Sequence, residues 1–369
     1  MKKPLITLLI GIAIGSVGTF TTLLYFASKM QDSPSPDAEA TDINNISLPE
    51  GTGISGAIVS STGVIYFQRG NPQLNEETIY EIGSITKVFT ALAMALHDSR
   101  NPGYLSKSVG EILPKLSDSQ ISDTAINYLL NHSSGLPRLA PSFSVLHVLM
   151  NRSDPYTDYS RDDLYDDLQA TELSEEGSYE YSNYAFWVAG LCLEQSTSVE
   201  YKEYVTNELL SPLGMASSFV GNNSSANVIL AQGHDKKGKR TNYWEKDAAS
   251  PAGSIKSSTE DMSRFITAYI QGTHPELKEA LEVITKPTLD VNDNHSVGLG
   301  WQIRKTDSVI WHNGATGGFR SFIAISPENN IGVVLLCNYA GVEGLDRSGF
   351  DLLTGKTKIV EQGGGYNSG

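Results

Sequence analysis

The spacing of apolar residues divides the chain into an opening pair of strands, a helical middle and a closing run of strands. Residues 54–60 and 64–69 are rich in β-branched residues, and Ser61-Thr62-Gly63 joins them, a pattern that predicts a β-hairpin. Four further strands, joined by short turns, are predicted at residues 300–304, 308–311, 320–326 and 331–338. Because consecutive strands with short turns pair in opposite directions, we expect an antiparallel sheet.

The middle of the chain carries the spacing that is typical of helices. Val88, Leu92 and Ala95 recur at helical spacing, which predicts a buried helix whose first turn carries Ser84 and Lys87. The other predicted helices lie at residues 125–130, 184–193, 199–210, 259–270 and 342–353. We expect the polar stretch 234–246 to form a surface hairpin, and the aspartate-rich stretch 153–167 to form a solvated helix face.

The N-terminus predicts an export signal. Lys2 and Lys3 precede an uncharged apolar run at residues 4–27, which at about 1.5 Å per residue is long enough to cross a ~30 Å hydrocarbon core. Residues 1–29 are therefore predicted to be a transmembrane or signal segment. An uncleaved anchor is favoured because no good cleavage site precedes Lys29, and secretion after cleavage is the alternative. Either outcome places the rest of the chain in the periplasm or outside the cell.

Composition predicts how the remaining chain is divided. Residues 30–50 are rich in Ser, Pro, Asp and Asn and are predicted to be a linker. A single domain is expected over residues 51–354, followed by a Gly-rich, disordered tail at 355–369.

Charge and motif content exclude several classes of function. The 27 Lys and Arg residues against 42 Asp and Glu give a net charge of −15, which argues against a nucleic-acid partner. Cys192 and Cys337 lie in apolar runs and are interpreted as core residues, with a disulfide as the alternative. The chain has no H-E-x-x-H, C-x-x-C, P-loop or G-x-S-x-G pattern, so we expect neither a metal nor a cofactor.

Ser84 and Lys87 carry the first candidate chemistry. Residues three apart share a helix face, so the Lys87 amine can reach the Ser84 oxygen. A serine hydroxyl needs a base beside it, and a lysine serves as that base only when its pKa is lowered, which burial and a helix N-terminus both favour. The alternative is a serine cap followed by a surface lysine, the commoner meaning of an isolated S-x-x-K.

Tyr181 and Asn183 form the second candidate pair. They flank Ser182 where a loop meets the predicted helix at 184–193. Such a junction can present a phenol and an amide to a site. The alternative is that Ser182 or Asn183 only caps the helix.

His312 opens the third candidate stretch. Asn313, Gly314 and Ala315 follow it, and backbone with so little side chain suits a strand edge that a ligand approaches closely. A lone histidine beside a turn is more often structural, which is the alternative here.

Taken in order, Ser84-Ile85-Thr86-Lys87, Tyr181-Ser182-Asn183 and His312-Asn313-Gly314 resemble the three motifs of the penicillin-recognising serine hydrolases. The resemblance is to the class C β-lactamase and D-alanyl-D-alanine carboxypeptidase branch and covers residues 54–353. Segments 131–137, 211–215 and 251–254 are similar to the H-T-S-G-L-P, P-L-G-M and P-A-G-G segments of that branch. It implies an α/β fold of the α+β type, with an antiparallel sheet flanked by helices, an all-helical subdomain and a site between them.

The resemblance also implies a role for each motif residue. Ser84 would attack a carbonyl, with Lys87 and Tyr181 exchanging its proton and passing it to the leaving group. Asn183 would hold Lys87 and a substrate amide. The backbone N–H groups of Ser84 and Ala315 would form the oxyanion hole.

The third motif departs from the β-lactamase pattern. His312 replaces a lysine, and a histidine is mostly neutral at pH 7, so it would bind a substrate carboxylate less strongly. Asn313, Gly314 and Ala315 would line the bound substrate. We therefore expect a D-amino-acid peptide, amide or small ester as substrate. The alternatives are a β-lactamase and a non-catalytic member that binds peptidoglycan.

Overall fold

The protein is represented by a computed structural model that describes residues 42–143, 156, 159–222, 229–244, 248–357 and 359. The predicted transmembrane or signal segment at 1–29 lies outside these residues, as do most of the predicted linker and tail. Among the residues that are described, no helix combines the length and the apolar character needed to cross a membrane.

Helices and strands occupy the described residues in the following order. The α-helices are α1 (Thr86–Arg100), α2 (Val109–Ile112), α3 (Ile126–Leu130), α4 (Arg161–Ala170), α5 (Asn183–Thr197), α6 (Tyr201–Val205), α7 (Ser250–Gly253), α8 (Thr259–Gln271), α9 (Pro275–Thr285) and α10 (Leu345–Leu353). The strands are β1 (Gly53–Ser60), β2 (Gly63–Gly70), β3 (Ile79–Glu81), β4 (Phe219–Val220), β5 (Ile255–Ser258), β6 (Leu289–Asn292), β7 (His295–Val297), β8 (Gln302–Arg304), β9 (Val309–Ala315), β10 (Arg320–Ser326) and β11 (Ile331–Cys337).

An eight-stranded antiparallel sheet forms the centre of the fold. Its strand order is β2-β1-β11-β10-β9-β8-β7-β6, so the opening hairpin pairs with the last strand of the chain. A small sheet in the order β3-β5-β4 lies apart from it. The predicted antiparallel sheet is confirmed.

The two faces of the large sheet bury different partners because side chains alternate along each strand. On β10, Ile323 and Ile325 belong to the larger apolar core, which includes helices α1, α5 and α8. Phe322 and Ala324 face the other way, into a smaller core under α10. Both Cys192 and Cys337 are buried and free, as predicted.

Helix α1 is the buried centre of the larger core. All its residues from 86 to 96 are buried, which is typical of a helix packed on every side. Described residues between 101 and 218 form helices and turns, together with a β-bridge between Ser108 and Ala125. This part corresponds to the predicted all-helical subdomain.

The predicted helices and closing strands are present, with shifted ends. Ser84 lies in a 3₁₀ turn, Gly83–Ile85, rather than inside the α-helix that follows. Strand β9 runs to Ala315 and so includes the third motif, which the prediction placed after the strand. Helix α9 and strands β6 and β7 were not predicted.

Three predicted surface or linker segments are partly buried. Ile43, inside the predicted linker, is fully buried in the smaller core, so packing begins before residue 51. The surface-hairpin prediction is wrong for His234, which is buried and whose N–H donates to the Asn338 carbonyl at 2.9 Å. Asp167 is buried too, because its carboxylate accepts from the hydroxyls of Tyr159 and Ser142, each at 2.7 Å.

The 3₁₀ turn that carries Ser84 is clamped against β9 and β10. Ser321 donates from its hydroxyl to the Ile82 carbonyl at 2.8 Å. A Cβ on Gly314 would lie 2.0 Å from the same carbonyl oxygen, and a Cβ on Gly83 would lie 2.7 Å from the Ala315 nitrogen. Gly83 also has a φ of +51°, which favours glycine. Glycines therefore allow the serine turn and the third-motif strand to touch.

Gly314→Ala should destabilise the protein by about 2 kcal/mol or more, because the new methyl group must displace the Ile82 backbone. Urea unfolding followed by circular dichroism measures the change. Gly177→Ala is the matched control, since Gly177 has a φ of +91° but nothing within 4 Å of the added Cβ, so only backbone strain of about 1 kcal/mol is expected. Equal losses in the two variants would contradict the clamp.

Candidate active site

Ser84 is partly exposed in the 3₁₀ turn that precedes α1. The fully buried Lys87 lies one turn further on, and its Nζ is 3.2 Å from the Ser84 Oγ. The predicted pairing of hydroxyl and amine is therefore present. The alternative of a surface lysine is wrong, because Lys87 has no exposed surface.

Two further acceptors from distant parts of the chain surround the Lys87 amine. Its Nζ donates to Asn183 Oδ1 at 2.7 Å and to the Ala252 carbonyl at 2.8 Å. The rings of Tyr181 and Phe186 lie 5.1 Å and 5.5 Å from the same nitrogen. Helix α1, the start of α5 and the α7 turn thus meet at one amino group.

These acceptors orient the amine toward the serine when it has lost a proton. A neutral amine has two N–H donors and one lone pair. The oxygens of Asn183 and Ala252 can only accept, so they take the two donors. The lone pair is left for the Ser84 hydroxyl, which is the arrangement that a general base requires.

Tyr181 lies beside the same serine. Burial raises the pKa of its phenol, while a hydrogen bond with Ser84 and the charge of Arg138 oppose that rise. Tyr181 is therefore protonated at neutral pH. It can pass a proton to a departing group and recover one from Ser84, but it does not stand as a free phenolate.

His312 projects from β9 toward Tyr181, and their ring centroids are 6.3 Å apart. Burial, followed by the nearby Lys87 charge, lowers the pKa of His312 to about 3, so the ring is neutral. Its Nδ1 lies 2.6 Å from the Asn313 carbonyl, which can only accept. The proton therefore sits on Nδ1, and the buried Nε2, which has no partner among the described residues, presents a lone pair.

The other third-motif residues divide between the two faces of β9. The Asn313 amide donates to the Asp346 carboxylate of α10 at 2.6 Å, on the face opposite His312. Gly314 and Ala315 bring their backbone against the serine turn, and Ala315 is exposed there. The structure thus brings Ser84, Lys87, Tyr181, Asn183, His312, Gly314 and Ala315 together. It directs the Asn313 side chain away from them.

Ser182 performs the capping role that the sequence left open. Its hydroxyl accepts from the Ala185 N–H at 2.9 Å and donates to the Pro137 carbonyl at 2.7 Å. Capping by Ser182 and the amide role of Asn183 therefore coexist at one helix start.

Sequence reasoning missed His132, which supports Tyr181. Its ring is buried, packs against the Tyr181 ring at a tilt of 33° with centroids 4.3 Å apart, and accepts the Ser182 N–H at Nδ1. Burial, with the charges of Lys87, His312 and Arg138, lowers the pKa of His132 well below its usual value. In the sequence, His132 stands out only because segment 131–137 resembles a segment of the family. That resemblance does not indicate which residue His132 contacts.

The described portion of the chain holds no group of three or more His, Cys, Asp or Glu side chains suited to a metal ion.

Comparison with known sequences identifies one matching family and several relatives. The sequence model of the beta-lactamase family matches residues 48–356. Protein flp of Staphylococcus aureus strain MRSA252 is 26% identical over 273 residues, which are 71% of this chain and 53% of that protein, so the chain spans about half the length of these relatives. A beta-lactamase of Yersinia enterocolitica is 24% identical over 389 residues, covering 92% of this chain and 95% of that one.

Solved structures show the same fold. A mutant class C beta-lactamase aligns with a TM-score of 0.71 at 20% identity, over 82% of this chain and 92% of that chain. A beta-lactamase/D-alanine carboxypeptidase from Pseudomonas syringae aligns with a TM-score of 0.73 at 19% identity, over 86% and 95%. The predicted β-lactamase-like fold is thereby confirmed. With the family match covering most of its length, the chain belongs to the beta-lactamase family.

Proposed function

We propose that this protein is a serine hydrolase that cleaves D-amino-acid peptides, amides or small esters through an acyl-enzyme on Ser84. The observation that carries the proposal is the buried Lys87 amine, which two carbonyl oxygens orient toward the Ser84 hydroxyl. No other serine of the chain has a lysine three residues after it. A covalent route is therefore assigned to Ser84.

The proposed reaction has two halves. In the first, the Ser84 oxygen forms a bond to the substrate carbonyl carbon while its proton moves to the neutral Lys87 amine. The bond to the leaving group breaks, that group takes the phenol proton of Tyr181, and Lys87 returns its extra proton to the Tyr181 oxygen. In the second half, water replaces the leaving group and gives its proton back along the same path, which releases the acid and restores Ser84.

The charge developing on the carbonyl oxygen needs donors. The N–H groups of Ser84 and Ala315 are the proposed pair, since Gly83 lets the serine turn approach the Ala315 backbone closely. Asn183 holds the lysine through its oxygen and leaves its amide N–H₂ for a substrate carbonyl.

The state of His312 supports the preference for peptides and esters. A lysine at this position would offer a charged donor to the carboxylate of a penicillin. His312 instead turns a lone pair toward the site, and a lone pair repels a carboxylate oxygen. Position 312 therefore gives no attraction to a penicillin carboxylate, whereas uncharged amides and esters lose nothing there, and a peptide with a free C-terminal carboxylate needs a cation from elsewhere in the site.

β-Lactam hydrolysis is the second candidate function. It is favoured by the Yersinia relative, whose name is beta-lactamase and which matches nearly the whole of both chains. The two functions share the acylation step and differ in how fast water releases the acyl group.

A substrate panel tests the proposal. We expect kcat/KM for an acyl-D-alanyl-D-alanine peptide or a short-chain p-nitrophenyl ester to exceed that for nitrocefin. Ser84→Ala should abolish all three activities, because it removes the nucleophile. Steady-state kinetics on purified protein measures each constant.

Two results would contradict parts of this proposal. Turnover of nitrocefin within the ordinary enzyme range of ~10⁴–10⁸ M⁻¹s⁻¹, without turnover of peptide or ester, would establish the β-lactamase alternative. A fluorophosphonate or fluorescent penicillin that labels a residue other than Ser84 in peptide mapping would remove the nucleophile assignment.

The neutral, buried His312 should make stability depend on pH. An unfolded histidine binds a proton below about pH 6.5, whereas His312 in the folded protein stays neutral until about pH 3. Stability is therefore lost as pH falls below 6.5, by about 2 kcal/mol for this residue at about pH 5. Urea unfolding at about pH 7.5 and about pH 5 should show a smaller loss in His312→Gln than in the wild type.

His274→Gln is the matched control for this measurement. His274 precedes α9 and is partly exposed, so its removal takes away a histidine outside the core. If His312→Gln loses as much stability on acidification as the wild type and the control, His312 is not held neutral by the fold.

We propose further that the hydrolase domain is exported and tethered to the membrane through residues 5–27. The support is the uncharged apolar run that follows Lys2 and Lys3. Protein isolated from membranes should retain residues 1–29 when its N-terminus is measured by mass spectrometry. A chain beginning near Thr19 or Lys29 would instead show a cleaved signal and a secreted enzyme.

A further inference from the structure

Arg138 places a positive charge at the active site that the reaction above does not use. Its guanidinium carbon lies 5.1 Å from the centroid of the Tyr181 ring, and the residue is only partly buried. Among the described residues, no carboxylate lies within 4.0 Å of this guanidinium. Its five N–H donors are therefore open to a ligand.

The backbone holds Arg138 in place independently of its side chain. Its carbonyl accepts the N–H of Asn183 at 3.0 Å and that of Tyr184 at 3.4 Å, at the start of α5. The neighbouring Pro137 carbonyl accepts the Ser182 hydroxyl. The helix start therefore fixes the amide of Asn183 and the backbone from which the Arg138 side chain extends, which reduces the entropy lost when an anion binds.

The other charged groups near the site are already engaged. Arg320 donates to the carbonyls of Thr316 and Phe319 at 3.2 Å and 2.9 Å. Lys256 forms a buried ion pair with Glu81, with the two charged atoms 3.8 Å apart. Arg138, by contrast, lies against the Tyr181 ring, and its guanidinium has no protein acceptor among the described residues.

Arg138 lies on the side of the site where we expect the leaving group of the substrate. Tyr181 delivers the proton to the departing atom in the proposed reaction, so the part of the substrate that leaves lies beside the Tyr181 phenol. Arg138 covers the ring of that phenol. A guanidinium in this place binds a planar carboxylate through two parallel N–H donors.

We propose that Arg138 binds an ionised carboxylate on the leaving group, in place of the cation that position 312 lacks. This inference rests on the proposed function and specifies its substrate class: acyl donors whose leaving group ends in a free carboxylate, such as a C-terminal D-amino acid. Arg138 is a specificity-determining residue and takes no part in the proton transfers.

Two peptides that differ only at the leaving group test the inference. One is acyl-D-alanyl-D-alanine with a free carboxylate, and the other ends in the carboxamide. The ratio of their kcat/KM values should favour the carboxylate in the wild type. In Arg138→Gln this ratio should fall about tenfold, mainly through KM, because a charged hydrogen-bonded pair is lost. Arg138→Lys should keep most of the preference.

Lys278→Gln is the matched control, since it removes the same charge from an exposed position on α9 and should leave the ratio unchanged. An unchanged ratio in Arg138→Gln would overturn the inference. An equal loss for both peptides would also overturn it, because that result indicates that Arg138 only packs on Tyr181.

Failure of the proposed function is distinguishable from failure of this inference. If the wild type cleaves only β-lactams, the proposed substrate class is wrong, and the ratio for a penicillin against its methyl ester then tests Arg138 alone. Calorimetry on Ser84→Ala gives a readout that needs no turnover. Acyl-D-alanyl-D-alanine should bind this variant more tightly than the carboxamide does, and the added Arg138→Gln change should abolish the difference. Equal binding of the two peptides before that change would reject the assignment.

Discussion

The amino group of Lys87 is the constraint on which the rest of the site depends. An amine buried without acceptors would be strongly destabilising, so its hydrogen-bonding groups have to be satisfied inside the fold. The acceptors come from Ser84, Asn183 and Ala252, which are far apart in the sequence. Correct docking of α1, α5 and the α7 turn is therefore a condition both for stability and for catalysis.

Packing around the α7 turn shows how closely this condition is met. Thr90 of α1 donates to the Pro251 carbonyl at 2.7 Å, next to the carbonyl that Lys87 uses. A Cβ on Gly190 of α5 would lie 2.1 Å from the Pro251 ring. The turn is thus held between two helices. Helix α1 contacts it through a hydrogen bond, and α5 packs closely against it because residue 190 is a glycine. Its carbonyl cannot move away from the amine without disturbing both.

Much of the fold could be predicted because its main elements have a strong apolar pattern. Helix α1 and strands β10 and β11 are buried along most of their length, and their sequences show it. Strand β6 was missed because it is only four residues long and lies at the sheet edge, where even its apolar residues, Leu289 and Val291, are partly exposed. The buried positions of His234 and Asp167 were missed for a different reason. A polar group is buried where another part of the chain supplies its hydrogen-bond partner, and the local sequence does not reveal that partner.

In the site, too, the residues that interact locally could be predicted, and those that act through contacts between distant segments could not. Ser84 and Lys87 interact across one helical turn, so their spacing was enough. His132, Arg138 and the Ala252 carbonyl act through contacts between segments that only the folded chain brings together. A tautomer is still less accessible from sequence, since it depends on the acceptor or donor at the other ring nitrogen. His132 accepts a backbone N–H at Nδ1, whereas His312 donates from that atom.

Neither of these tautomers carries a positive charge. Both histidines are neutral, so the positive charge that they could have supplied around Tyr181 is absent. Lys87 and Arg138 are the cations beside the Tyr181 ring, and Arg138 is the one whose guanidinium makes no described ion pair while its carbonyl fixes the start of α5. The backbone of residue 138 thus helps to hold the start of α5, which carries Asn183 beside Lys87. The Arg138 side chain takes no part in those hydrogen bonds, so it can be substituted without breaking them. A fold built in this way can keep one acylation chemistry while the charge of its preferred leaving group changes.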